Sequence, residues 1–336
     1  MKNKVKIIAE AGVNHNGKIK LAYKLARIAK KSGADFVKFQ FFIGENLASK
    51  NSIKAKYQIK NLKNKNRSQL EMLRKLQLDI KDLIKIKNYC KKININFLLS
   101  FFDHKSIKYV KKFNLKYIKI PSGEITNFPL LKNTAKTKKK LILSTGMANL
   151  KEINEALKVF KKYKTPKKDI TILHCTTDYP TSMSDVNLNS MLTIKNKFKC
   201  DVGYSDHTVN YDASIYAVVL GAKIIEKHFT INKNMKGPDH KASLNPKELE
   251  IFIKKIRDAE IIMGSKNKKI RKSEMKNLKH VRKSIYASRN IIKNEILNED
   301  NIIPKRPFNK NSPMQWKKII GKKSIKNFKK DEEIKF

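Results

Sequence analysis

Two lysines stand inside otherwise apolar segments of this 336-residue chain. Lys38 lies in DFVKFQ and Lys119 in YIKIPSGE, and both segments contain the β-branched and aromatic residues that favour strands. Lysine is almost never fully buried without a partner, so each is either a solvated residue at a frayed strand end or part of a site. Because Gln or Ser lies close to each, we favour a clamp for the phosphate and carboxylate groups of an anionic ligand.

Two histidines and three carboxylates indicate a second kind of chemistry. His207 in YSDHT and His228 in IEKHFT are paired imidazoles, which suit Mn²⁺, Fe²⁺, Co²⁺ or Zn²⁺ with water or substrate completing the coordination. Two ordinary hydrogen-bonded histidines are the alternative. The carboxylates can act as general acids or bases, hold metal-bound water, or neutralise a neighbouring lysine; they are Glu10, Glu124 and Glu226.

These residues fall at the ends of predicted strands, which must bring them together. Eight apolar, strand-like runs alternate with amphipathic helical patterns, and this predicts a parallel sheet closed into a barrel, with its active groups at the carboxyl ends of the strands. An open doubly wound sheet is the alternative, although the glycine-rich phosphate fingerprint expected after its first strand is missing. The predicted strands cover residues 5–11, 36–42, 97–102, 117–121, 141–144, 170–175, 200–204 and 222–229.

The alternating pattern ends at a polar, highly charged segment. We predict a (β/α)₈ barrel over residues 1–264, a linker over residues 265–280 and a small, irregular β-rich domain over residues 281–336. Residues 46–69 form a long polar excursion after the second strand. In a barrel, such insertions lie on the active face.

The formal net charge of +47 comes mostly from lysine distributed along the chain. A nucleic-acid-binding protein would concentrate its charge, use arginine and carry a binding motif. We therefore expect solvated lysine surfaces and no nucleic-acid partner, and keep a non-catalytic anion- or RNA-binding protein as the remote alternative. No apolar run is long enough to cross a membrane, and Cys90, Cys175 and Cys200 favour reduced thiols in a cytoplasmic protein.

Several segments follow one another in an order that is typical of one enzyme family. They are IIAEAGVNHNG, DFVKFQ, YIKIPSGE, LILSTGM, ILHCTTDYPT, VGYSDHT, IEKHFT and GPDHKAS. Through them the chain resembles the N-acetylneuraminate (sialic acid) synthase family, and RKSIYA and PKRP with SPMQW resemble the family's C-terminal antifreeze-like (SAF) domain. The resemblance implies an α/β fold, a (β/α)₈ TIM barrel followed by a small β-rich SAF domain.

The resemblance implies a condensation of phosphoenolpyruvate with an N-acylated hexose and water, which releases phosphate and gives a nine-carbon 2-keto acid sugar. With N-acetylmannosamine the product is N-acetylneuraminate. Thr177-Asp178 looks closer to the enzymes that make N,N'-diacetyllegionaminate from 2,4-diacetamido-2,4,6-trideoxymannose, so that reaction is the alternative. A divalent metal is also implied, with Mn²⁺ expected and Mg²⁺ or Co²⁺ as alternatives.

Matched residue by residue, the resemblance implies roles for particular side chains. His207 and His228 fall on the family's metal ligands, and the three glutamates remain candidates for proton transfer. The residues that fall on phosphoenolpyruvate contacts are Lys38, Gln40, Ser100, Lys119, Ser122, Ser144 and Ser205. Those that fall on sugar contacts are Thr177, Tyr179, Asp239 and Arg306.

Arg306 is a special case because it lies in the small C-terminal domain. It falls at the arginine that the SAF domain lends to the active site of the partner subunit, which implies a domain-swapped homodimer. Around it, Pro307-Phe308-Asn309-Lys310 replaces a turn that carries two glycines in the family.

Overall fold

Eight parallel strands close into a barrel in the first of two compact units, Met1–Gly264 and Ser265–Phe336. The computed structural model describes residues 4–62 and 67–335. In chain order the strands are β1 (Lys6–Gly12), β2 (Phe36–Phe41), β3 (Asn96–Phe101), β4 (Tyr117–Ile120), β5 (Lys140–Ser144), β6 (Ile170–His174), β7 (Asp201–Asp206) and β8 (Ile224–His228). Because β1 pairs with both β2 and β8, the predicted closed barrel is confirmed and the open sheet is wrong.

Helices connect these strands. In chain order they are α1 (Ile19–Lys31), α2 (Gly44–Leu47), α3 (Lys56–Leu62), α4 (Gln69–Leu76), α5 (Ile80–Lys92), α6 (Val110–Phe113), α7 (Phe128–Lys136), α8 (Leu150–Lys162), α9 (Asn189–Phe198), α10 (Asp212–Val219) and α11 (Pro246–Ile262). Helix α1 buries Ala22, Leu25, Ala26 and Ala29, whose spacing forms one apolar face. Helix α11 begins at a capping box made by Asn245 and Glu248.

Side chains inside the barrel form layers, because successive residues of a strand point to opposite faces. One buried cluster is apolar and consists of Ile8, Leu98, Tyr117, Ile142, Leu173 and Ile224. Two residues further along the strands, towards their carboxyl ends, the side chains are polar and still buried. That second layer holds Glu10, Lys38, Ser100, Lys119, Ser144, Ser205 and Glu226.

The polar excursion after β2 contains local structure. Within residues 46–62 and 67–69, it includes the end of α2, all of α3 and the first residue of α4, while residues 63–66 lie outside the described chain. None of the side chains of α3 is buried. The predicted insertion on the active face is therefore partly helical.

The second unit has its own small core. Strands β9 (Ser284–Ala287) and β10 (Ile302–Lys305) pair antiparallel, and two helices, α12 (Lys272–Val281) and α13 (Trp316–Ile319), complete the unit. The core consists of Ile285, Ala287, Ile291, Leu297, Ile302, Ile319, Phe328 and Ile334. The linker predicted over residues 265–280 is helical from Lys272 onward. The polar composition that favoured a linker belongs to a helix with no buried side chain.

No helix within the described residues is long and apolar enough to cross a membrane.

Gly203 of β7 tests how tightly the barrel interior is packed. A Cβ at this position would lie 2.3 Å from the Ile224 carbonyl oxygen and 2.6 Å from Leu173 Cδ2. We expect Gly203→Ala to lower the free energy of unfolding by about 1–3 kcal/mol, because overpacking forces backbone shifts. Urea denaturation measures this change. Gly123→Ala is the control, since a Cβ there meets nothing within 4 Å, and equal stability of the two variants would contradict the prediction.

Candidate active site

A cavity of about 330 Å³ opens at the carboxyl ends of the barrel strands. Every predicted site residue except Glu124 and Arg306 lines it. The barrel therefore brings together side chains that are widely separated in sequence. They are Glu10, Lys38, Gln40, Ser100, Lys119, Ser122, Ser144, Thr177, Tyr179, Ser205, His207, Glu226, His228 and Asp239.

Four buried charges form a continuous network at the base of this cavity. Lys38 Nζ lies 3.1 Å from Glu10 Oε2 and 3.3 Å from Glu226 Oε1. Lys119 Nζ lies 2.8 Å from the same Glu226 oxygen. Ser205 Oγ donates a third contact to that oxygen at 3.2 Å. Each lysine thus has a carboxylate partner, which is the condition for burying a lysine at all.

The two carboxylates of the network differ in proton affinity. Burial acts to raise the pKa of Glu226, but Lys119 and Lys38 outweigh it and hold that pKa well below its usual range. Burial raises the pKa of Glu10 to about 7, against the opposing effect of Lys38. Glu226 is therefore a permanent anion, and Glu10 is the group that can exchange a proton near neutral pH.

The lysines respond to the same neighbours. Burial acts to lower the pKa of Lys38, yet Glu10 and Glu226 together raise it. Burial lowers the pKa of Lys119, only partly offset by Glu226. Both lysines meet carboxylates rather than standing alone. An incoming anion therefore has to share them with Glu10 and Glu226.

The two histidines meet at the rim of the cavity, with ring centroids 5.8 Å apart. The Thr176 carbonyl accepts a hydrogen bond from His207 Nδ1 at 2.6 Å, and this tautomer leaves the Nε2 lone pair available. Among the described residues, His228 Nδ1 is buried without a hydrogen-bond partner. Burial lowers the pKa of His207 to about 4 and lowers that of His228 well below its usual value, so both rings are neutral, as metal ligands must be.

The donor set therefore fits a divalent metal in part. Within residues 4–62 and 67–335, no group of three or more His, Cys, Asp and Glu side chains is arranged to hold a metal ion. His207 Nε2, which lies 3.4 Å from Ser205 Oγ, and a ring nitrogen of His228 would have to be joined by water or substrate oxygens. Such an open coordination sphere is typical of a catalytic site rather than a structural one.

Aromatic rings pack beside the two histidines. The Tyr179 ring centroid lies 4.2 Å from that of His207 and 5.2 Å from that of Tyr57. Asp239 lies nearby, and burial raises its pKa to about 6. Tyr57 was not predicted as a site residue. The signal that could have found it is an aromatic residue within an insertion already assigned to the active face.

Two predicted residues lie elsewhere. Glu124 is buried but does not line the cavity, and its Oε2 accepts a hydrogen bond from Asn127 Nδ2 at 2.6 Å. Burial raises its pKa. Its predicted role in proton transfer therefore lacks a contact with the cavity. Arg306 is exposed in the second unit, where its Nε donates to the Val281 carbonyl at 2.8 Å.

The loop after Arg306 does not depend on the missing glycines. Tyr286 OH donates to the Pro307 carbonyl at 2.8 Å, and Phe308 N donates to the Lys279 carbonyl at 2.8 Å. None of the positive-φ residues in the described chain falls between Pro307 and Lys310. The loop therefore adopts a conformation that non-glycine residues tolerate.

Comparison with known proteins shows similarity over nearly the whole chain. Residues 25–268 match the NeuB family and residues 282–336 match the SAF domain. The N,N'-diacetyllegionaminic acid synthase of Campylobacter jejuni is 52% identical over 332 residues, which cover 99% of each chain. The N,N'-diacetyllegionaminic acid synthase of Legionella pneumophila is 42% identical over 323 residues, which cover 96% of this chain and 90% of the relative.

A solved structure is similar as well. The N-acetylneuraminic acid (sialic acid) synthetase of Leptospira borgpetersenii, in complex with citrate, superposes with a TM-score of 0.72 at 32% identity. The match covers 82% of this chain and 90% of that one.

The buried network makes folding depend on the Glu226 charge. Because the folded-state pKa of Glu226 is depressed, its carboxylate contributes stability above the unfolded pKa of 4.5, and this contribution is lost as pH falls through the folded pKa. We expect Glu226→Gln to lower the free energy of unfolding by about 3 kcal/mol at pH 7, because it removes the carboxylate partner of the buried Lys119 and leaves Lys38 paired with Glu10 alone.

The measurement is denaturant unfolding of both proteins at pH 7 and below pH 4.5. The difference between them should shrink at the lower pH. Glu45→Gln, which removes an exposed pair with Arg74, is the control and should change stability much less. A loss for Glu226→Gln that is independent of pH would contradict the assigned charge.

Proposed function

This chain belongs to the NeuB family, and from that membership we propose that it makes N,N'-diacetyllegionaminate and phosphate from phosphoenolpyruvate, water and 2,4-diacetamido-2,4,6-trideoxymannose. Carbon–carbon condensation of phosphoenolpyruvate with an N-acylated sugar is the chemistry of the family. The observation that supports it best is the joining of Lys38 and Lys119 with His207 and His228 in one cavity. Family membership also argues against a non-catalytic anion- or RNA-binding protein.

The proposed acceptor sugar differs from the one that the sequence analysis expected first. N-acetylmannosamine was expected first, but relatives at 52% and 42% identity are N,N'-diacetyllegionaminic acid synthases, which favours the alternative. Compared with N-acetylmannosamine, the diacetamido sugar carries a second acetamido group, and a methyl group replaces the hydroxymethyl group. Apolar residues in the cavity lining suit these groups, and they include Phe102, Met147, Met72 and Leu73.

In this proposal, the base of the cavity holds phosphoenolpyruvate. Lys38 and Lys119 supply charge-assisted hydrogen bonds to its phosphate and carboxylate. Hydroxyl groups at the ends of neighbouring strands supply the remaining polar contacts. Because these side chains are small, they leave room for the ligand. These residues are Ser100, Ser122, Ser144 and Ser205, with Gln40 beside them.

The reaction forms one carbon–carbon bond and one carbon–oxygen bond to water, and it breaks the carbon–oxygen bond to phosphate. C3 of phosphoenolpyruvate attacks the aldehyde carbon of the open-chain sugar, water adds to the cationic C2, and the tetrahedral intermediate expels phosphate. Glu10 is the candidate for proton transfer, because its pKa of about 7 suits that task. Tyr179, Thr177 and Asp239 line the cavity where they can orient the sugar.

A divalent ion is part of the proposal. His207 and His228 would hold it, with Mn²⁺ preferred over Mg²⁺ or Co²⁺ as expected from the family resemblance. When bound, such an ion supplies Lewis-acid polarisation of the sugar aldehyde. Glu226 acts electrostatically on both histidines, and one of its oxygens, Oε1, pairs with both lysines and keeps them in place.

We also propose a domain-swapped homodimer in the cytoplasm. Its basis is the SAF domain at residues 282–336, which carries the exposed Arg306. A domain of about 55 residues is marginal alone, so docking on a partner would stabilise it. Cys90, Cys175 and Cys200 are all unpaired and buried, which agrees with a reducing compartment.

A substrate panel tests the proposed reaction. We expect phosphate release from phosphoenolpyruvate with the diacetamido sugar, with kcat/KM at least about tenfold higher than with N-acetylmannosamine, because apolar pocket contacts discriminate by about 1–3 kcal/mol. The Lys119→Met variant is the control for phosphate released outside this site. Faster turnover with N-acetylmannosamine would restore the N-acetylneuraminate assignment.

Mixing two inactive variants tests whether Arg306 acts on the partner. Arg306→Ala and His207→Ala are each expected to be inactive as homodimers. In a mixed dimer, one site receives both changes and the other receives neither, so random subunit exchange should restore activity to about one quarter of the sites. Exchange is verified by mass-tagged subunits. Exchange without recovered activity would contradict a contribution in trans.

A further inference from the structure

Lys227 is a third buried lysine on the strands of the barrel, and it does not line the cavity. It stands on β8 between Glu226 and His228, which both line the cavity. Because neighbouring strand residues point to opposite faces, Lys227 points away from the cavity, into the layer between the sheet and the helices. Its side chain is 0% exposed.

The ammonium group of Lys227 is fully satisfied by one short segment. It lies 3.0 Å from Asp206 Oδ1 and donates to the carbonyl oxygens of Thr208 and Asn210, each at 2.6 Å. Three N–H groups therefore meet three oxygens. Asp206 Oδ1 also accepts from Thr208 N at 2.9 Å, and Asp206 Oδ2 accepts from Ser214 Oγ at 2.6 Å. These contacts tie residues 206–210 to both β8 and α10.

The contacts begin where strand pairing stops. Asp206 and Lys227 are the last pair of the β7–β8 ladder, so residues 207–210 have no further support from it. His207 lies inside this segment. Its Nδ1 donates to the Thr176 carbonyl, and its own carbonyl accepts from Thr181 N. His228 is the residue immediately after Lys227. One side chain thus links the segments that carry both histidines.

We propose that Lys227 is a positioning residue, which sets His207 against His228 at the spacing that a divalent metal requires. This inference depends on the proposed metal site. A buried ammonium is costly unless fully paired, and an apolar side chain of similar volume would fill this space at lower cost. Its three directed contacts fix the backbone of the segment that carries His207, which an apolar side chain could not do.

The experiment measures Mn²⁺ affinity of the full chain by calorimetry, without substrate. Lys227→Met keeps the side-chain volume and removes the three donors. We expect Mn²⁺ binding to weaken about 10- to 100-fold, the usual effect of removing a residue that orients metal ligands. His207→Ala gives the reference for loss of a ligand. Phosphoenolpyruvate affinity, which depends on Lys38 and Lys119, should remain close to that of the unchanged protein.

Lys227→Met leaves Asp206 buried without its cation and can destabilise the fold. The second variant, Lys227→Met with Asp206→Asn, removes that charge as well and should fold more stably while still binding Mn²⁺ weakly. Phe160→Leu on α8 is the matched control, because it loosens the core without touching residues 206–210 and should keep normal Mn²⁺ affinity.

The outcomes distinguish the positioning role of Lys227 from the existence of the metal site. Normal Mn²⁺ affinity in both Lys227 variants, with loss in His207→Ala, would overturn the role of Lys227 and leave the metal site standing. No Mn²⁺ binding by the unchanged protein, together with phosphate release that a chelator does not affect, would overturn both. Equal weakening in Phe160→Leu would show an effect of general stability and would also overturn the positioning role.

Discussion

The pairing of Lys119 with Glu226 spans the interior of the barrel. These residues belong to β4 and β8, which are separated by three strands in either direction around the closed sheet, yet their charged atoms lie 2.8 Å apart. Each charge has been removed from water, and the cost is offset only while the geometry is kept. The register of the strands, the apolar layer beneath and the small side chains between them are all constrained by this contact.

The network explains how a neutral group of side chains can serve an anionic ligand. Two lysines and two glutamates carry no net formal charge when all are ionised, so the site is not a simple cationic trap. In the folded state, Glu10 and Glu226 together offset the desolvation of Lys38, and Glu226 offsets that of Lys119 in part. A bound phosphate or carboxylate can then share ammonium groups that are fixed in place, and a fixed arrangement avoids reorganisation during the reaction. The difference in pKa between Glu10 and Glu226 leaves one stable anion and one group able to exchange a proton.

The barrel could be predicted from local pattern, and most of the cavity could be predicted from that pattern together with the family resemblance. Apolar runs alternating with helices predict parallel strands, and period two along each strand predicts which residues point inward. The contacts that each side chain makes could not be predicted in the same way. That Lys119 meets Glu226 depends on closure of the sheet, and that Glu124 turns to Asn127 depends on the short turn after β4. Tyr57 was missed because the course of an insertion depends on the surface it covers, and helix α12 was missed because its segment is highly charged and none of its side chains is buried.

The high lysine content obscured a useful distinction between lysines. In a chain with a net charge of +47, an additional lysine within a strand is easily attributed to composition. Burial distinguishes surface lysines from structural ones, because an exposed ammonium is satisfied by water whereas a buried ammonium needs specific partners. Lys38, Lys119 and Lys227 each lie about 3 Å from a carboxylate, and the carboxylates are themselves buried. The first two face the cavity and the third faces away from it. Alternation along a strand therefore allows β8 to present Glu226 and His228 to the site while the intervening lysine supports the adjacent loop from behind.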